Sequence, residues 1–166
     1  MTDIEKSAST SVLSAVLADV ADALRRAEDT VFARTDVPVL AADAGDLDAQ
    51  IDSAMAHLGL CATVLLSSVT GGKPSMPGPI FEGAELVVEV CEASPLNRGE
   101  EGTGVSALDA AEMAARALHQ KRLGSGRIIY VTDIAPYPQP PLSADVCWHV
   151  RLRTGEVNLL SKQRIS

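Results

Sequence analysis

Residues 85–123 switch abruptly from one structural period to another, and the switch constrains the whole fold. Glu85 to Glu92 alternates with period two. Leu86, Val88 and Val90 face one way; Glu85, Val87, Glu89 and Cys91 face the other. From Ser106 to Leu123 the period becomes helical, with Leu108, Ala111, Ala115 and Leu118 on one stripe and Asp109, Glu112, Arg116 and His119 on the opposite side. Between them lie Ser94-Pro-Leu-Asn-Arg98 and the acidic, glycine-rich Gly99-Glu-Glu-Gly-Thr-Gly104. Pro95 and the glycines stop the strand, and Ser106 with Asp109 makes a capping-box-like helix start. The stretch therefore predicts a sheet strand, a sharp corner and a packing helix.

The remaining segments fit around that joint. Ser9, Thr10 or Ser11 can cap a first helix with the stripe Leu13, Val16, Leu17, Val20 and Leu24, ending near Asp29. Val37 to Leu40 reads as a short extended piece held at an edge by Pro38. Asp46 caps a second helix with the stripe Leu47, Ile51, Met55 and Leu58, and Gly59 terminates it. Leu60 to Val69 is a strand, followed by a long loop from Gly71 to Pro79. Arg127 to Ile134 and Asp145 to Arg153 are the last strands, joined by the stiff, proline-rich segment Pro136 to Pro141. In the final strand Val146, Trp148, Val150 and Leu152 point inward, and Cys147, His149, Arg151 and Arg153 outward. This order predicts the α+β class: an antiparallel four-stranded sheet with helices packed on one face. A single domain spanning 1–166 is expected, with a flexible N-terminus over about 1–8 and a polar tail over about 161–166.

Composition narrows the function classes. A chain of 166 residues buries about 70% of its unfolded surface, enough for a core without metal or disulfides. Apolar residues make up 46% and aromatics 3%, so that core is aliphatic and alanine-rich. The formal charge of −8 argues against broad phosphate-backbone binding, which rests on Lys and Arg displacing counterions. Met-Thr-Asp-Ile-Glu-Lys lacks the cationic and apolar regions of a signal peptide, and no run approaches the roughly 18 apolar residues of a membrane span. Cytoplasmic localisation is expected, with Cys61, Cys91 and Cys147 as buried free thiols.

No catalytic constellation emerges. Metal ligation would use His57 with Cys61, or Cys147 and His149 with Cys91. Neither CxxC nor HxxxH is present, although structural zinc sites favour such tight pairs. Cys91 beside Glu89 is a poor thiolate environment, and no GxSxG elbow occurs. The turn Gly99–Gly104 approaches a helix N-terminus, but its two glutamates repel phosphate and it lacks a P-loop lysine. No enzyme activity, cofactor or metal is expected. Asn97 tolerates a left-handed corner, leaving Arg98 as an exposed guanidinium. It is either simply solvated or available for a bidentate intersubunit bond. Glu85 and Glu89, with Arg151 and Arg153, offer opposite charges that can pair across strands or between subunits.

Val88-Glu-Val-Cys-Glu-Ala-Ser-Pro-Leu-Asn-Arg98, and Ala107-Leu-Asp-Ala-Ala through Ala117-Leu-His119, resemble phage tail terminator (tail completion) proteins. The likeness in organisation spans roughly residues 10–155. The resemblance implies a non-enzymatic homo-oligomeric ring, commonly hexameric, that caps the tail tube and stops its polymerisation. Its partners would be further copies of itself, the tail tube protein and the head–tail connector, with DNA passing through the lumen without sequence-specific binding. Assembly would occur in the bacterial host cytoplasm, and the product would reside in the virion tail. Arg98, Glu85, Glu89, Arg151, Arg153 and Lys73 are the candidate oligomer or partner contacts. The alternatives are another minor tail or head–tail connector protein, or a small metal- or thiol-dependent enzyme using Cys91, Cys147 and His149.

Overall fold

The computed structural model describes residues 11–34, 36–43, 45–75 and 78–159. The expected N-terminal segment 1–8, the Ser9 and Thr10 capping options and the tail 161–166 lie outside them. The elements in chain order are α1 (Val12–Arg25), α2 (Val31–Arg34), β1 (Val39–Ala41), α3 (Leu47–Leu58), β2 (Leu60–Gly72), β3 (Ile80–Glu92), α4 (Ser94–Asn97), α5 (Ala107–Leu118), β4 (Lys121–Arg122), β5 (Ile128–Pro136), β6 (Val146–Thr154) and β7 (Val157–Asn158).

The α+β class is correct, but the expected four-stranded antiparallel sheet is not. Among the described residues, one seven-stranded mixed sheet runs β1-β2-β3-β6-β5-β4, with β7 added beside β3, and it curls into a half-barrel. β1 pairs parallel to β2, while the remaining pairings are antiparallel. The parallel pair follows from the chain order β1–α3–β2, because a helix between adjacent strands makes a crossover. The β3–α5–β5 connection also joins parallel strands, with β6 inserted between them.

Helices on a single face were expected; they occupy both. α1 lies over β1 and β2, and α5 over β3, β5 and β6, and the two helices touch. Their core joins Val16, Val20 and Leu24 to Ala62, Val64, Leu86, Val88 and Val150. α3 packs on the other face, placing Ile51, Ala54 and Met55 against Cys61, Cys91 and Cys147. Handedness explains the division. Both crossovers step the same way across the sheet, but β3 and β5 run opposite to β1 and β2. Two right-handed crossovers then put their helices on opposite faces.

Local signals set most boundaries. Ser11 accepts the N–H of Ser14, Asp46 that of Ala49 and Ser106 that of Asp109, so all three longer helices are side-chain capped. Gly59 closes α3 at φ 70°. α5 buries Ala107, Ala110, Ala111, Ala114, Ala115 and Leu118; small residues let it sit close to the sheet, and Leu108 is exposed. It stops at Leu118 rather than Leu123. His119 is extended, Gln120 turns at φ 59°, and Lys121 and Arg122 pair with β5. α1 likewise ends at Arg25, before a short α2 that the sequence periodicity does not reveal. The β2–β3 strands extend through Gly72 and resume at Ile80, consuming part of the expected loop.

Candidate functional site

The corner between β3 and α5 is built around a buried carboxylate. Glu92 is 0% exposed. Its Oε1 accepts from Arg98 Nε at 2.9 Å and from Asn97 Nδ2 at 3.1 Å, and its Oε2 accepts the Ala107 backbone N–H at 2.8 Å. Burial opposes ionisation, but the bonds from Arg98, Ala107 and Asn97 outweigh it and hold Glu92 below the usual carboxylate range. Asn97, also fully buried, donates to the Val105 carbonyl at 2.7 Å and accepts from Thr103. It occupies a helical turn, not the left-handed corner expected of it. Asp145 caps that turn from across the fold, accepting the N–H and hydroxyl of Ser94 at 2.8 and 3.1 Å. Arg98 is therefore not a free guanidinium. Its Nε holds Glu92, while its side chain remains 59% exposed.

Two glycines permit this packing. A Cβ on Gly102 would lie 2.0 Å from the Asn97 carbonyl oxygen, and one on Gly59 would lie 2.7 Å from the Asn97 nitrogen. The C-terminus of α3 thus abuts the α4 corner, and Ala93 donates to the Gly59 carbonyl at 2.8 Å.

Under α3 the sheet register assembles two cross-strand rows. Cys61, Cys91 and Cys147 are successive partners on β2, β3 and β6, and Thr63, Glu89 and His149 form the neighbouring row. Cys91 Sγ and Cys147 Sγ are 3.4 Å apart. The Cys91 thiol donates to Glu89 Oε1 at 3.5 Å, and His149 Nε2 donates to Glu89 Oε2 at 2.8 Å. Tyr137 stacks on the His149 ring, with centroids 4.2 Å apart. The Thr63 hydroxyl, fully buried, has no hydrogen-bond partner among the described residues. Cys147 and His149 were expected on an open face; α3 and the segment following β5 cover them instead. The hydrogen bond from Cys147 pulls the Cys91 pKa down, but Cys61, burial and the Glu89 charge push it up overall. Cys147 is pushed up by its bond to Cys91, by burial and by the charges of Cys91 and Glu89. These thiols are free and buried, as expected, and poorly suited to act as nucleophiles.

Beyond α3 the same face is open. Glu85, Arg151 and Arg153 line a shallow groove with Asp133, Thr132 and Ser67. Arg153 sits opposite Glu85 in register. Arg151 reaches Asp133 at 3.4 Å, while Ser68 donates to Glu85 at 3.2 Å. The candidate contacts thus separate into distinct places. Glu85, Arg151 and Arg153 share the groove, Glu89 lies under cover beside the thiols, and Arg98 belongs to the corner. Lys73 bonds Glu156 at 2.5 Å. That pairing raises the Lys73 pKa, through the hydrogen bond first and the charge second.

No protein-family model matches the chain, and no curated protein matches it. Among the described residues, no helix is long and apolar enough to cross a membrane. Sequence periodicity missed Glu92, Asn97 and Asp145 as organising residues. The available signal was an acidic residue at the inward-facing end of a strand, immediately before a corner carrying an arginine.

Proposed function

We propose that this chain is a structural phage or prophage tail protein whose copies form a ring on the tail tube. The ring ends tube polymerisation and presents a docking surface to the head connector. The observation supporting this reading is the uncovered groove in which Glu85, Asp133, Arg151 and Arg153 bring both charge signs together on one sheet face. Such a surface favours register-specific contact with a complementary neighbour over nonspecific adhesion. The corner contributes rigidity: Arg98 is anchored through Nε, so the exposed remainder of its guanidinium is presented in a fixed place. An acidic ring wall lets DNA pass without binding it.

Electron microscopy of particles lacking this protein tests the proposal. Tails of uncontrolled length, or tails that fail to join heads, are expected. Particles with normal tails joined to heads, together with a purified chain that stays monomeric and does not associate with tail tubes, would overturn it.

A further inference from the structure

We propose that Cys91, Cys147 and Glu89 form a binding site for a thiophilic divalent cation of the zinc class. The site lies beneath α3, at the centre of the sheet. It is independent of the assembly reading and requires no enzymatic role.

The geometry of the three donor atoms carries the inference. Tetrahedral zinc with sulfur ligands at about 2.3 Å and oxygen at about 2.1 Å separates two sulfurs by about 3.8 Å and a sulfur from an oxygen by about 3.6 Å. Here the sulfur–sulfur distance is 3.4 Å and the Cys91 Sγ–Glu89 Oε1 distance is 3.5 Å. The three ligand atoms all lie within 4.8 Å of one another. Two edges of one tetrahedral face are thus close to their ideal lengths, and the third, from Cys147 Sγ to Glu89, is at most 4.8 Å. Strand register supplies the juxtaposition, so tight ligand spacing along the chain is not needed: Cys91 faces Cys147 across β3 and β6.

The surroundings also suit an ion. Glu89 is oriented by His149, and His149 by the Tyr137 ring, the outer support that ligating carboxylates ordinarily receive. Thr63 places a buried hydroxyl, with no hydrogen-bond partner among the described residues, beside Glu89. Ile51, Ala54 and Met55 close the site with apolar side chains. On binding, the cation displaces the two thiol protons to solvent, giving two thiolates and one carboxylate. Soft thiolates favour zinc over magnesium or calcium.

The experiment uses the full chain, freed of metal and then titrated with zinc, and with cobalt(II) as a spectroscopic probe. One zinc per chain and a thiolate-to-cobalt charge-transfer band are expected. Cys91→Ala and Cys147→Ala should each abolish the band, and Glu89→Gln should weaken zinc affinity by at least about tenfold. Failure of the wild-type chain to take up zinc stoichiometrically would overturn the site. So would uptake unchanged in the folded Glu89→Gln variant, which preserves the side-chain shape should either cysteine variant fail to fold.

Discussion

Glu92, the last residue of β3, accepts the backbone N–H of Ala107, the first residue of α5, at 2.8 Å. One carboxylate therefore satisfies an orphan N–H at the helix start and sets its negative charge against the positive end of the helix dipole. Replacing Glu92 with Leu should destabilise the fold by about 3–5 kcal/mol, because the Asn97 amide and the Ala107 N–H lose a buried acceptor. Urea unfolding of the variant and the parent measures this directly.

The same carboxylate should write a signature into the pH dependence of stability. Its folded pKa is lowered, so its contribution is complete above the unfolded value of about 4.3 and disappears as pH falls through the lower folded value. The stability difference between the parent and Glu92→Gln should be constant above about pH 5.5 and shrink steadily below about pH 4.3. A difference that grows on acidification would contradict the assignment.

Glycine substitutions around Asn97 should be unequal. Gly102→Ala forces a Cβ against a backbone carbonyl and should cost about 2–4 kcal/mol. Gly59→Ala combines a positive φ with a close backbone contact and should cost about 1–3 kcal/mol. Gly155 has open space around it, so Gly155→Ala should stay within about 0.5 kcal/mol. Thermal melts of the three variants give the ranking.

Charge reversal in the groove should separate assembly from folding. Arg153→Glu places like charges opposite each other across β3 and β6, on an open face where stability changes of only about 1 kcal/mol are expected. If the proposed ring forms on tail tubes, association with them should fall much further than the melting temperature. Adding Glu85→Arg restores opposite signs within the subunit. If association with tubes depends on contacts to an unchanged partner, this double variant should recover stability without recovering assembly. Sedimentation with tubes and thermal melting supply the two readouts.

Inward positions were legible because burial imposes periodicity: Leu86, Val88, Val90, Val150 and Leu152 all enter the core as their alternation requires. Three capped helix starts were legible for the same local reason, since Ser11, Asp46 and Ser106 each bond a backbone N–H three residues later. The sheet order was not, because the pairing of β3 with β6 joins residues far apart in sequence. The corner was misread where its partners are distant. Asp145 caps Ser94 from 51 residues away. Glu92 shares the inward parity of Leu86, Val88 and Val90, but alternation alone does not reveal that Arg98 folds back to pair with it. In the sequence, Cys91 and Cys147 group with His149 as a metal option, and ligand spacing along the chain argues against it. Ligand-spacing rules count along one chain segment, whereas Cys61, Cys91 and Cys147 meet across three strands.

The insertion of β6 between β3 and β5 also sets an order of events during synthesis. β2 and β3 can zip together as a local hairpin as soon as Glu92 has left the ribosome. The other edge of β3 must wait for residues 146–154 before it gains its permanent neighbour. Throughout that interval the nascent chain carries a long, valine-rich strand with one row of unpaired backbone groups. An edge of this kind recruits strands from other chains, and distant pairings close slowly. Misassembly should therefore depend on translation rate and on the concentration of nascent chains, even where the finished protein is stable.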